Sequence, residues 1–127
     1  MHVIEVPTYA DFEREISQRS QEPALLTLFL ASIDPSTGES WCPDCRAVLP
    51  LLQRLVSSSE APLNILYCYV GAREEWKNRP ENPFRLHPSA MVKCVPTLIR
   101  FQAGVEQVRL EEGQILNEDR CRELFSS

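Results

Sequence analysis

The stretch SWCPDC, residues 40–45, holds two cysteines separated by a proline and an aspartate, with a tryptophan just before them. Such a pair can be part of a metal clip, a structural disulfide or a redox centre, and its surroundings must choose. Downstream, Leu49, Leu52, Leu55 and Val56 recur at helical spacing, so the motif opens a helix. Pro50 inside that helix is expected to kink it, since proline lacks an amide hydrogen and crowds the preceding turn. Upstream, IDPSTGES (33–40) is polar and rich in turn formers, hence a loop. A cysteine entering a helix from a loop meets unpaired amide hydrogens and the positive end of the helix dipole, which favour a thiolate.

Cys45 lies about one turn beyond Cys42, within reach of its sulfur and expected to be the more buried. That spacing suits two steps: Cys42 attacks a disulfide, then Cys45 attacks the mixed disulfide and frees the product. Pro43 falls at an early helical position, where its missing donor costs nothing. Asp44 has two opposed effects. Its carboxylate suits a helix N-terminus but opposes ionisation of a neighbouring thiol, and the sequence leaves that balance open.

Around the motif the chain alternates. HVIEV (2–6) reads as a short strand. TYADFEREISQRS (8–20) reads as an amphipathic helix, with Thr8 as cap and Asp11 at the reciprocal position. ALLTLFLA (24–31) and LNILYCYV (63–70) are apolar runs that suit strands covered on both faces. The segment 71–90 predicts a short helix near 73–78 and another near 82–90. TLIRF (97–101) and VEQVRL (105–110) form a hairpin about Gln102, Ala103 and Gly104. NEDRCRELF (117–125) is a last helix, capped by Asn117, with Cys121, Leu124 and Phe125 on one face. The expected architecture is α/β: one domain, residues 1–127, with a central mixed sheet flanked by helices on both faces.

The chain has 127 residues and a net charge of −5, with no Lys/Arg cluster, which disfavours a nucleic-acid partner. MHVIEVP does not read as a secretory signal, and ALLTLFLA is too short to span a bilayer, so no membrane role is expected. A reducing, cytoplasmic setting is the expectation. There, five cysteines read as catalytic, metal-binding or buried rather than as a disulfide framework. Structural zinc wants four ligands, usually in paired clusters, whereas only one CxxC exists and His2 and His87 lack ligand spacing; no metal is expected. A structural Cys42–Cys45 bridge would close a tiny loop and stabilise little. Cys68 and Cys121 read as small buried hydrophobes. Cys94 is an auxiliary or regulatory thiol at the site's rim or an unreactive one, the latter carrying more weight. Trp41 suits a substrate platform, and Trp76 a packing role.

Trp41 before Cys42, Pro50 five residues after Cys45, and VPTLIRF (95–101) followed by Gly104 resemble the thioredoxin superfamily. WCPDC, the long preceding loop, YCYVG (67–71), Trp76–Lys77 and Phe84–Arg85 narrow the resemblance to the 14-kDa thioredoxin-related family, that of thioredoxin domain-containing protein 17. The resemblance implies a thioredoxin fold and a cis Val95–Pro96 bond. It implies Cys42 as nucleophile, Cys45 as resolving thiol, Trp41, Val95 and Pro96 as the substrate groove, and Pro43 and Asp44 as tuners of potential. It also implies a monomeric, cytosolic disulfide reductase with no bound cofactor beyond the redox-active Cys42–Cys45 disulfide. Such a protein reduces protein or small-molecule disulfides and is recycled by NADPH through thioredoxin reductase. Peroxidase activity and a dynein light chain partner belong to the same family picture. Two rival classes stand beside it: a redox-sensitive adaptor with little turnover, and a peroxidase.

Ordinary thioredoxins place a buried aspartate and a lysine beneath the motif to move protons. The positions aligned with them here are Leu28 and Cys68. Proton handling must therefore differ, with water, Asp44 or Glu39 as candidates. The long loop, with Asp34 and Glu39, is expected to narrow the range of protein substrates.

Overall fold

The computed structural model describes residues 1–126. Leu25–Leu30 (β2) has all six residues buried. A strand with no polar face can only sit where both sides of a sheet are covered, and β2 is the middle strand of five. The order is β1 (His2–Val6), β5 (Asn64–Tyr69), β2, β6 (Thr97–Gln102), β7 (Val105–Glu111). β1, β5 and β2 run parallel, whereas β6 and β7 are antiparallel additions. The fold is the thioredoxin fold, an α/β architecture with a mixed central sheet and helices on both faces.

Side chains alternate along a strand, and residues in register share a face. Phe29 is in register with Cys68 and Thr97, so these face one side. Helix α1 (Tyr9–Gln18) covers that side: Phe12 meets Phe29 edge-on at 5.5 Å, and Phe84 lies 5.4 Å from Phe12. Leu28, Tyr67 and Glu5 share the opposite side. There Leu49, Pro50 and Gln53 of α2 (Pro43–Ser58) line a cleft with Tyr67 and Tyr69.

Thr8 caps α1 by accepting the Asp11 amide at 3.2 Å. The Asp11 carboxylate accepts the Thr8 hydroxyl at 2.7 Å instead of reaching back to the Thr8 amide, so only half of the expected reciprocal cap forms. In α2 the buried stripe is Cys45, Val48, Leu52, Leu55 and Val56. Val48 takes the inward place expected of Leu49, which is half-exposed. Pro50 lies within the helix, and at that position no amide hydrogen reaches the Arg46 carbonyl.

Three local features depart from expectation. Residues 33–40 are not an open loop. They form a two-stranded hairpin, β3 (Ile33–Asp34) with β4 (Glu39–Ser40), whose turn is set by the Asp34 carboxylate accepting the Ser36 amide at 2.9 Å. The helices in 71–90 are single turns, α3 (Arg73–Trp76) and α4 (Pro83–Leu86). Between β7 and α5 (Glu118–Leu124), residues Glu112–Leu116 make a 3-10 turn that the sequence reading left unassigned. Gln102 belongs to β6, leaving Ala103 and Gly104, both at positive φ, as the hairpin turn; the Ala103 amide is held by the Glu22 carbonyl at 2.9 Å.

The segment 71–90 gets its order from side chains rather than from regular backbone pairing. Asn82 is 5 % exposed; its amide donates to the Val70 and Glu75 carbonyls at 3.0 Å, and its oxygen accepts the Phe84 amide at 2.9 Å. The Arg85 guanidinium lies 3.6 Å above the ring of buried Trp76 and donates to the Trp76 carbonyl at 2.9 Å. Among the described residues no helix is long and apolar enough to cross a membrane. Replacing Asn82 by alanine leaves two carbonyls and one amide without these partners, so Asn82→Ala should cost about 2–4 kcal/mol, the scale of one or two unsatisfied buried groups. Urea denaturation of the two proteins reads that loss, and an unchanged midpoint contradicts it.

Candidate active site

The central strand ends at Leu30, and Ala31 and Ser32 carry the chain out of the sheet toward the hairpin. The chain returns through Ser40 and Trp41 to Cys42, which is the N-cap of α2 with extended backbone. Pro43 follows at the start of the helix, as its missing donor allows. Cys42 is 8 % exposed and Cys45, one turn below, is fully buried. Pro43 and Asp44, between them, point to solvent.

Both sulfurs are thiols. The Cys45 sulfur accepts the Ala31 amide at 3.4 Å. Burial pushes the Cys45 thiol up to about 12; the Ala31 amide partly offsets this, Cys42 adds to it, and the Ser40 hydroxyl opposes it. Asp44 and Glu39 do not figure among these influences. Glu39 turns instead to Arg46, 3.8 Å away. The sulfur of Cys42 faces the Val95 carbonyl at 3.8 Å. The Val95–Pro96 peptide bond is cis, and the Pro96 carbonyl is tied to the Glu112 amide at 2.9 Å. Helix start and Val95–Pro96 segment thus converge on one sulfur.

Trp41 is half-buried, and its indole N–H donates to the Gly71 carbonyl at 2.9 Å. Gly71 also accepts the Ser32 amide at 3.1 Å and donates its own amide to the Ser32 hydroxyl at 2.9 Å. Ser32 in turn accepts the Trp41 amide at 3.4 Å. The Gly71 φ of +121° suits glycine, and a Cβ there would meet the Glu75 Cβ at 3.0 Å. This knot of Ser32, Trp41 and Gly71 holds the tryptophan beside Cys42. The YCYVG motif marked its glycine, but nothing in the sequence tied it to Trp41.

The alignment that put Cys68 beside Leu28 needs a correction. Cys68 pairs in register with Phe29 and faces α1, on the far side of the sheet. The residue beside Leu28 on the α2 side is Tyr67, one position earlier, whose phenol burial pushes up. Cys68 and Cys121 are both fully buried. Cys94 is half-buried against Thr97, and burial pushes its thiol up to about 11. That disfavours a thiolate and fits the unreactive reading. Among the described residues no three His, Cys, Asp or Glu side chains converge as metal ligands would. Ser40, which the sequence reading passed over, is 2 % exposed and touches Ala31 and Cys42.

Comparison with known proteins agrees with this geometry. A family profile described as thioredoxin domain-containing protein 17-like, thioredoxin domain, matches residues 5–127. Human thioredoxin domain-containing protein 17 is 31% identical over 123 residues, which is 97% of this chain and 94% of the human one. Thioredoxin-like protein Clot of Arabidopsis thaliana is 32% identical over 102 residues, covering 80% of this chain and 75% of its own. Among solved structures, thioredoxin O2 from Arabidopsis thaliana in the oxidised state superimposes with a TM-score of 0.66 at 17% identity, covering 99% of this chain and 100% of that one.

Two outcomes follow from the site's packing. Gly71→Ala should destabilise the protein by about 1–3 kcal/mol through backbone strain and shift the Trp41 indole N–H resonance; an unmoved resonance contradicts the anchoring role. Stability of the reduced protein should also fall with alkalinity. Cys45, Cys68 and Tyr67 all titrate higher folded than free, so their contribution is complete below the ordinary thiol value of 9.0 and is lost as pH rises above it. Urea unfolding at pH 8 and pH 10.5 should show the lower stability at the higher pH.

Proposed function

This chain belongs to the thioredoxin domain-containing protein 17-like family, and we propose on that footing that it is a dithiol disulfide reductase acting on protein or small-molecule disulfides through Cys42 and Cys45. The observation that carries the reading is the asymmetry of the pair. Cys42 stands at the helix N-terminus against Val95, whereas Cys45 is sealed below it and held as a thiol. Nucleophile and resolver need that difference, because only one sulfur should meet the incoming disulfide.

In the first step the Cys42 thiolate attacks one sulfur of the substrate disulfide. The substrate S–S bond breaks, its other sulfur leaves with the electron pair and takes up a proton, and a mixed disulfide remains on Cys42. In the second, Cys45 gives up its proton and attacks the Cys42 sulfur. The remaining substrate sulfur leaves reduced, and a Cys42–Cys45 disulfide forms. Two electrons have passed to the substrate. NADPH, through thioredoxin reductase, restores the dithiol in a cytosolic setting. Trp41, Val95 and Pro96 wall the groove that receives the substrate segment. The β3–β4 hairpin beside it carries Asp34 and Glu39, and its bulk and charge narrow the set of protein disulfides admitted.

The test is turnover of a disulfide substrate with NADPH and thioredoxin reductase. Wild-type protein should oxidise NADPH, and Cys42→Ser should reduce the rate to background. Cys45→Ser should stop after the first step, leaving a mass adduct on Cys42. Turnover that survives in Cys42→Ser, or none in the wild type, defeats the proposal.

A further inference from the structure

We propose that Ser40 is the positioning residue for the resolving thiol: its hydroxyl, seated between the Ala31 carbonyl and the Cys42 amide, turns to the Cys45 sulfur as that sulfur becomes an anion. The inference rests on the reductase reading above and names how its second step is served in the absence of a buried carboxylate.

The geometry centres on one residue. Ala31 donates its amide to the Cys45 sulfur at 3.4 Å and accepts the Ser40 hydroxyl on its carbonyl at 2.8 Å. The two backbone groups of Ala31 thus hold the two side chains next to each other. The Cys42 amide donates to the Ser40 oxygen at 3.4 Å, which fixes the oxygen and leaves the hydroxyl hydrogen free to rotate. The Ser40 carbonyl is pinned by Arg46 at 2.7 Å, so the backbone beneath the hydroxyl does not drift. At 2 % exposure this hydroxyl has no ready water partner.

The site needs such a donor. In the second step Cys45–SH and the mixed disulfide on Cys42 become a Cys42–Cys45 disulfide and a free substrate thiol. The proton lost by Cys45 is matched by the one the departing substrate sulfur takes up. The transient anion on Cys45 sits in a pocket that disfavours charge, for burial is the largest influence raising this thiol. Once Cys42 is in the mixed disulfide, its own opposing charge is gone. Burial then remains against two donors, the Ala31 amide and the Ser40 hydroxyl. Hydrogen bonds to a charged sulfur are the strong kind. The other ionisable groups nearby are Arg46 on α2, Glu39 on the hairpin and Tyr67 on β5, and none of them acts appreciably on Cys45. Asp44 is exposed.

The experiment follows both steps in one mixing trace. The reduced full-length protein is mixed with an aromatic disulfide whose thiolate product is coloured; the first release reports attack by Cys42, and the second reports resolution by Cys45. In Ser40→Ala the ratio of second to first rate should fall on the order of 10- to 100-fold, the span of one hydrogen bond to a charged group. The rise of the second phase with pH should move to higher pH, and Ser40→Thr, which keeps a hydroxyl, should recover most of the ratio. An unchanged ratio and pH profile in Ser40→Ala overturns the proposal. So does an equal slowing of both phases, which marks damage to the helix start. If the wild type shows no second release, the reductase reading itself fails, and this inference with it.

Discussion

Everything at the site is referred to the end of the central strand. β2 is buried on both faces and flanked on both edges, so Ala31, just beyond it, leaves the sheet from the least mobile part of the molecule. One backbone group of that residue holds the buried sulfur and the other holds the serine beside it. The helix that carries the two cysteines is therefore attached to the sheet at the atoms that do the chemistry. Burial supplies the rigidity, and rigidity in turn makes weak, long contacts to sulfur meaningful.

The same burial separates the two cysteines. They sit one turn apart on one helix, yet one borders an open groove and the other lies among apolar side chains. Nothing intrinsic to a cysteine distinguishes them. The distinction comes from Pro43 and Asp44 occupying the solvent side of the first turn, which rotates Cys45 inward. Charge adds to it: a thiolate at the helix N-terminus meets unpaired amides, whereas one at Cys45 must be offset by two fixed donors.

Much of this was legible in the residues. The apolar runs at 24–31 and 63–70, the caps at Thr8 and Asn117 and the hairpin about Gly104 each follow from local patterns, and each formed with ends shifted by a residue or two. What escaped depended on contacts distant in sequence. The ordering of 71–90 by Asn82 and by Arg85 over Trp76 has no periodic signature. A serine in a polar loop gives no hint that it will be buried, as Ser40 is. Tyr67 and Cys68 show the sharpest limit. Side chains in a strand alternate, so a slip of one position exchanges the two faces of the sheet; a residue assigned beneath the active site in fact lies against α1.

The hairpin preceding the cysteines is pinched at its base, where Trp41 bonds to Ser32 and both bond to Gly71. Residues 34–39 extend beyond that closure and do not carry the strand–helix junction. The tip can therefore be lengthened, shortened or exchanged for another while the sulfurs keep their places. Selectivity and chemistry are thereby written in separable stretches of chain, and such a scaffold can acquire new clients by altering its brim while its reactive floor stays as it is.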